Sequence, residues 1–320
     1  MNIGLVLKGA AMGIAEAIPG VSGGTIAFIT GIYQELLETI KGITPSSLGL
    51  IIKDRKAFWR AINGKFLLWL LIGMGAGLVT GILVISHLLE NHQILLWAFF
   101  FGLVIASAAY LAKDVKWSLI SIVGAIIGGI LAYLITNLAP SAGSENPLYL
   151  FLSGCLAISA LMLPGVSGSF VLLLLGLYDQ IINGLKAMIT DQDFSQLMPI
   201  GIFATGAFVG LFSFARILSY LFKKYPNNTM ATMIGILLGS LGKLWPWKKI
   251  TSVFNKVTGE TSSIEAVKLP DNQTYKILSE TNLLPHQFGV FDEPRTLIAC
   301  ICMLSGIALV FFLSKVGNQG

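Results

Sequence analysis

Pro19-Gly20-Val21-Ser22-Gly23 recurs in this chain as Pro164-Gly165-Val166-Ser167-Gly168. Each copy interrupts a long apolar region, 4–40 in the first case and 148–185 in the second. Proline removes a backbone donor and glycine loosens the backbone, so neither region reads as one continuous helix. Each flank keeps roughly 14–16 residues, about 21–24 Å of helix, against a hydrocarbon layer of about 30 Å. The economical reading is two re-entrant helical hairpins, tolerated where protein or a water-filled cavity satisfies the broken backbone. A pair of complete short spans in each region is the rival reading.

The 320-residue chain as a whole is 55% hydrophobic and 12% charged, with mean hydropathy +0.79. Soluble domains carry about 25% charged residues, so a bilayer is the expected solvent. Six further stretches reach spanning length: 66–88, 94–112, 118–136, 199–222, 229–245 and 296–314. The connection 41–65 holds Lys41, Lys53, Arg55, Lys56, Arg60 and Lys65 against Asp54, which puts it in the cytoplasm. Counting crossings from there, Lys113, Lys116, Lys223, Lys224 and Lys315 also fall inside, and both termini are cytoplasmic. The segments 137–147 and 186–198 fall outside, as does a charge-balanced stretch, 246–295, with turn signals such as Leu269-Pro270-Asp271-Asn272. The net charge of +5 sits at segment ends, as topology determinants do, and does not point to nucleic acid. Cys155, Cys300 and Cys302 lie in apolar runs and imply neither disulfides nor a thiol-metal site. The N-terminus has no small-residue cleavage site, so the first segment is expected to stay.

The chain also resembles itself beyond the two turns. Gly9 pairs with Gly154, Ala15 with Ala160, Gly31 with Gly176 and Tyr33 with Tyr178. Allowing for loop length, Gly77-x-x-x-Gly81 aligns with Gly206-x-x-x-Gly210, and Gly102 and Ser107 align with Gly235 and Ser240. Taken alone, the small-residue pairs signal close helix packing. Two repeats follow, 1–136 and 137–320, each a hairpin plus three spans. Because three is odd, the second half enters from the opposite side. The expected fold class is an all-α polytopic membrane protein made of two inverted-topology repeats.

A glycine-rich turn ahead of a helix leaves backbone N–H groups unpaired beside the positive end of the helix, an arrangement that suits an anion. Pro19, Gly20, Gly23 and Gly24 shape the first turn, and Pro164, Gly165 and Gly168 the second. Ser22, Thr25, Ser167 and Ser169 add hydroxyl donors. A purely structural kink is the alternative for either turn. No Gly-Lys-Ser/Thr follows, so a nucleotide loop is disfavoured. Two charges are read inside apolar segments, Glu16 and Arg216. An ionisable group at membrane depth is costly and usually marks a pathway or relay. Glu16, matched by Leu161 in the other half, is the candidate for coupling to a proton or sodium ion. Arg216 aligns with His87 and is a candidate phosphate partner, although it is close enough to its helix end to reach the interface. Lys8 reads as an interface marker. No cofactor or metal is implied.

The run Ala15-Glu16-Ala17-Ile18-Pro19-Gly20-Val21-Ser22-Gly23-Gly24-Thr25 with Gly31-Ile32-Tyr33, and Leu163-Pro164-Gly165-Val166-Ser167-Gly168 with Gly176-Leu177-Tyr178, resembles the PopT family of bacterial polyprenyl-phosphate translocases. The likeness covers nearly the whole chain, and the family pattern carries Asp where this chain has Glu16. It implies that undecaprenyl phosphate returns from the outer to the inner leaflet of the cytoplasmic membrane, with membrane lipids as partners and no enzymatic step. Undecaprenyl-pyrophosphate phosphatases are the nearest enzymes, with a Pro-Gly-x-Ser-Arg-Ser motif. Here Gly23 and Gly24 stand at the Arg-Ser positions, so the clamp for a transferring phosphoryl group is missing. An ion-coupled small-anion transporter would use the same turns.

Overall fold

The computed structural model describes residues 2–16, 22–138, 140–141, 143–188, 194–255, 261–267 and 274–317. The chain begins with α1 (Ile3–Glu16), α2 (Gly23–Ile29) and α3 (Tyr33–Gly42), followed by α4 (Pro45–Lys53) and α5 (Arg55–Ala61). Three long helices complete the first half: α6 (Gly64–Asn91), α7 (Gln93–Ala112) and α8 (Leu119–Thr136). The second half runs through α9 (Pro147–Met162), α10 (Gly168–Leu174), α11 (Tyr178–Lys186), α12 (Leu197–Lys224) and α13 (Pro226–Gly239). Strands β1 (Lys248–Asn255), β2 (Thr261–Ala266) and β3 (Tyr275–Asn282), the short α14 (Pro285–Phe288) and α15 (Thr296–Gly317) end it.

Among the described residues, four helices are long and apolar enough to cross a membrane: Gly64–Ile85, Gln93–Ala112, Leu119–Thr136 and Phe194–Lys224. α15 is apolar over Thr296–Phe311. The span expected at 229–245 is an α-helix only to Gly239. It tightens into a 3-10 segment, Ser240–Leu244, before Pro246 removes the next donor. α8 leaves Leu119, Ile120, Ile126, Ile127, Ile130 and Leu131 exposed on one continuous surface. Water would not tolerate so large an apolar face on a soluble protein, whereas lipid does. The chain is a largely helical membrane protein.

The returning arm of each hairpin is much shorter than its sequence flank. α2 and α10 have 7 residues each. Gly31 (φ +75°) and Gly176 (φ +67°) end them in the left-handed conformation that glycine adopts without penalty. The caps are the same in both halves. Ile32 N donates to Ala27 O (3.0 Å) and Gly31 N to Phe28 O (3.3 Å), while Leu177 N donates to Leu172 O (3.0 Å) and Gly176 N to Leu173 O (3.1 Å). These paired bonds are the Schellman pattern. Beyond them the chain turns sharply, by 109° between α10 and α11.

Helix packing repeats as well. α1 lies on α6 and α9 on α12, while α7 lies on α15 and α8 on α13. Glycines set the closeness of each pair. A Cβ on Gly73 or Gly77 of α6 would strike the backbone of Val6 or Ala10, and one on Gly206 or Gly210 of α12 would strike Phe151 or Cys155. Since Gly9 corresponds to Gly154, Val6 corresponds to Phe151 and Ala10 to Cys155. The structural counterparts of Gly206 and Gly210 are therefore Gly73 and Gly77, one turn before the Gly77 and Gly81 expected from sequence. This slip also separates Arg216 from His87, because Arg216 now corresponds to Leu83. Gly102 of α7 packs against the backbone of Met303, and Gly235 of α13 against that of Ala125.

The stretch 246–295 departs from an all-α fold. Its strands form an antiparallel sheet in the order β2-β1-β3. Ile250 and Val253 of β1 are buried. Tryptophans tie the sheet to the helix ends: Trp245 Nε1 donates to Leu283 O (2.7 Å) and Trp247 Nε1 to Pro294 O (2.8 Å). Trp247 and Phe288 pack with Ala98 of α7 and Ala299 of α15.

Gly206→Val places carbon inside the Phe151 backbone, whereas Gly201 has nothing within 4 Å of its added Cβ. Thermal unfolding in detergent is expected to show Gly206→Val destabilised by about 1–3 kcal/mol, the usual cost of overpacking. Gly201→Ala should unfold at or above the temperature of the unsubstituted chain.

Candidate functional site

A helix that ends inside the protein leaves carbonyls without partners, and a helix that begins there leaves amides. The two hairpins satisfy each other. α9 ends at Met162, and the carbonyls of Leu161 and Met162 accept from Ser22 Oγ (2.9 Å) and from the Tyr33 hydroxyl (2.6 Å) of the first hairpin. In return, Thr25 Oγ1 accepts from Gly165 N (2.9 Å) in the second turn. Phe28 and Phe222 flank Tyr33 with ring centroids 5.4 and 5.8 Å away.

The amides that start α2 are taken up locally. Gly23 N donates to Glu16 Oε1 (2.6 Å), Gly24 N to Ser22 Oγ (3.0 Å) and Thr25 N to Ser22 O (2.9 Å). A negative carboxylate next to the start of a helix is electrostatically favourable, and Glu16 occupies the place that a foreign anion would need. Ser22 and Thr25 are almost fully buried. In this conformation the amides of Gly23, Gly24 and Thr25 and the Ser22 hydroxyl therefore donate within the protein, and Thr25 Oγ1 serves as an acceptor for the second turn. Pro19 and Gly20 lie outside the described residues. Lys8, expected at the interface, donates to Thr30 O (2.9 Å) and braces the end of α2.

The second turn differs. Leu161 stands where the first has Glu16, so no carboxylate closes it. Gly165, Ser167 and Ser169 line a cavity of about 710 Å³. Ser167 Oγ and Ser169 Oγ are 2.7 Å apart. One proton serves that bond, so the other hydroxyl proton remains available to a ligand. Gly165 (φ +86°) has Ser240 Oγ at 2.6 Å from the position of an added Cβ, which leaves no room for a side chain. Pro164 is fully buried, and Gly168 seats α10 against Ala157 O of α9. Pro164 and Gly168 shape the turn from behind.

Lys243 also lines this cavity, with its ammonium 5.1 Å from the Phe170 ring centroid. Among the described residues it has no hydrogen-bond acceptor and no ion-pair partner. The sequence reading passed over it by counting only Glu16 and Arg216 as charges within apolar segments. A lysine at the end of the apolar stretch 229–245, three residues after Ser240, was the available signal. Arg216 is exposed on α12 and belongs to neither turn. A second cavity of about 450 Å³ lies between α12 and α13, walled by Phe214, Leu218, Leu221, Met233 and Ile236. It reaches Leu163, so the second turn borders both an apolar groove, at Leu163, and a larger cavity of mixed polar and apolar lining, at Gly165, Ser167 and Ser169.

The family described as undecaprenyl phosphate translocase-like matches residues 12–262. A relative from Vibrio cholerae serotype O1 (strain ATCC 39315 / El Tor Inaba N16961), named polyprenyl-phosphate transporter, is 40% identical over 317 residues, 98% of this chain and 96% of its own. Another of the same name, from Staphylococcus aureus (strain NCTC 8325 / PS 47), is 31% identical over 254 residues, 75% of this chain and 85% of its own. No solved structure matches the chain.

Tyr33→Phe strips the buried Met162 carbonyl of its donor and is expected to cost about 1–3 kcal/mol. Tyr178→Phe, at the corresponding position of the second half, faces the cavity and should leave stability unchanged. Thermal unfolding of the two variants side by side checks the contrast.

Proposed function

The chain belongs to the undecaprenyl phosphate translocase-like family, and on that premise we propose that it carries undecaprenyl phosphate from the outer to the inner leaflet of the bacterial cytoplasmic membrane. The observation that carries this reading is the second turn, which places hydroxyls and Lys243 on a cavity of mixed polar and apolar lining and touches an apolar groove at Leu163. A lipid phosphate is amphipathic in the same way. Its head group carries close to two negative charges, and moving it bare through hydrocarbon is prohibitive. A shielded polar route beside an apolar one is the physical requirement.

The helix pairs support two inverted repeats with re-entrant hairpins. Exchanging the halves turns α1 on α6 into α9 on α12, and α7 on α15 into α13 on α8. With 41–65 in the cytoplasm, the cavity roofed by 246–295 opens outward and the groove beside Tyr225 opens inward. Ser167 and Ser169 receive the phosphate, while Gly165 keeps the backbone close to it. The residues of the first turn, Pro19, Gly20, Ser22, Gly23, Gly24 and Thr25, take over once the hairpins separate. Glu16 is then the coupling residue. A phosphate arriving at the first turn has to displace its carboxylate from Gly23 N, and a proton or sodium ion on Glu16 eases that step. Neither turn has an arginine after its serine, which disfavours phosphatase chemistry.

Purified protein in liposomes, with labelled undecaprenyl phosphate in one leaflet, tests the reading, alongside a parallel reaction with undecaprenyl pyrophosphate. Leaflet exchange without phosphate release is the expected result. Phosphate release would identify a phosphatase, and neither outcome would point to a soluble anion. Ser167→Ala should slow exchange about tenfold, as loss of a hydrogen bond to a charged group does. Gly165→Leu should abolish it. Glu16→Gln keeps an oxygen for Gly23 N and should fold normally, yet exchange should no longer respond to an imposed proton or sodium gradient.

A further inference from the structure

The second turn supplies hydroxyls, but two hydroxyls do not neutralise a phosphate. The positive charge in its cavity comes from elsewhere. Lys248, the first residue of β1, is held with its side chain only 9% exposed. Its ammonium lies 3.4 Å from Glu280 Oε2 of β3, donates to Lys243 O (2.7 Å) and sits 5.0 Å from the Trp97 ring centroid. Lys243, at the end of the 3-10 segment, lies over the Phe170 ring and feels Glu280 only at longer range, with no ion pair among the described residues. Trp97 of α7 is nearly fully buried, and its Nε1 is a donor with no acceptor among the described residues. All four side chains line the same cavity as Ser167 and Ser169.

A buried donor without an acceptor costs about 1–3 kcal/mol, and a half-buried ammonium without a counter-ion is also unfavourable. Structural ion pairs are built to avoid such groups, whereas sites that wait for a ligand keep them. The local charge points the same way, because two ammoniums face one carboxylate, that of Glu280. The other charges on the cavity wall are largely spoken for. Arg295 lies 3.6 Å from Glu293, and Asp292 has a partner of its own. Arg295 also sits at φ +43°, a left-handed conformation that a non-glycine residue adopts only when its surroundings impose it. The two tryptophan bonds to Leu283 O and Pro294 O tie the base of the sheet to the helix ends at the cavity rim.

We propose that the inserted sheet is part of the binding machinery: Lys248 from the sheet, with Lys243 and Trp97 beneath it, forms an outer pocket for a phosphomonoester that the hydroxyls of Ser167 and Ser169 complete. This deepens the transport reading and rests on it. The phosphate oxygens accept from the Lys243 ammonium and from Trp97 Nε1, and Lys248 shifts part of its bonding from Glu280 to the ligand. Glu280 holds Lys248 in position while the pocket is empty and opposes the ligand's charge when it is filled. It therefore sets the affinity below its maximum, so that the head group is released.

The probe is farnesyl phosphate, with farnesol as the control for binding through the tail alone, titrated into the full chain in detergent and followed by tryptophan fluorescence and by isothermal calorimetry. Lys243→Gln and Trp97→Phe each remove a donor that has no hydrogen-bond acceptor among the described residues, and Trp97→Phe keeps a ring for Lys248, so both variants should fold. Each should weaken farnesyl phosphate binding about tenfold and leave farnesol unaffected. Glu280→Gln should tighten binding severalfold, because it removes a like charge. A residue that merely kept the sheet in place would weaken binding on substitution. If the unsubstituted chain binds and exchanges lipid phosphate while Lys243→Gln and Trp97→Phe bind equally well, the pocket is wrong and the transport reading stands. If the unsubstituted chain neither binds farnesyl phosphate nor exchanges its longer homologue, both fall.

Discussion

α9 ends and α2 begins inside the protein, and backbone groups freed at such ends have to find partners in protein, because a membrane protein's lipid surroundings offer none. The bonds from Ser22 and Tyr33 to the last carbonyls of α9, and from Gly165 N to Thr25, answer that demand by joining the two breaks. Much else follows. The arms must be short enough for the turns to meet, so α2 and α10 stop after two turns at Gly31 and Gly176. The supporting helices must come close enough to hold the breaks in register, which is what the glycine contacts of α6 with α1 and α12 with α9 accomplish.

The two hairpins share their turn sequence and their glycine caps but differ in charge at one position. Glu16 caps the first turn from within, while its counterpart Leu161 offers only a backbone carbonyl, which Ser22 takes. Among the described residues, the amides that open α2 are met within the protein, whereas the other turn presents hydroxyls to a cavity. The asymmetry does not require two different folds, only one carboxylate that can stand in for an anion. A carboxylate that imitates the substrate's charge competes with it, which links occupancy of the first turn to whatever binds or neutralises Glu16.

The broken hairpins were legible in sequence because proline and glycine act locally, and so was the correspondence of Gly31 with Gly176, since a left-handed cap needs glycine wherever it occurs. Features set by contact between helices were harder. Gly73, Gly77 and Gly81 repeat at the same spacing, so composition alone could not decide which pair matched Gly206 and Gly210, and the choice was off by one turn. Arm length was overestimated because an apolar flank continues past Gly31 and Gly176 into amphipathic helices. Lys243 was missed for a related reason. At the end of an apolar stretch it looks like an interface residue, and only the sheet folded above it turns that end into the wall of a cavity. The sheet itself lies in a segment whose charge balance and turns announced a domain without indicating what the domain covers.

The junction of the turns also bounds the energetics of moving a phosphate past it. Among the described residues three hydrogen bonds connect the hairpins directly, and each contributes about 0.5–1.5 kcal/mol net, so parting these three costs about 2–5 kcal/mol. A bare charge in hydrocarbon costs tens of kcal/mol by comparison. Opening the junction is therefore far cheaper than going around it, provided that the exposed amides and hydroxyls transfer to the phosphate as the hairpins separate. Ser22 and Thr25, which looked like ligand donors and serve as a latch, fit both roles in turn. The donors that hold the gate shut are the ones a phosphate would meet once it opens, so the cost of opening is recovered in binding.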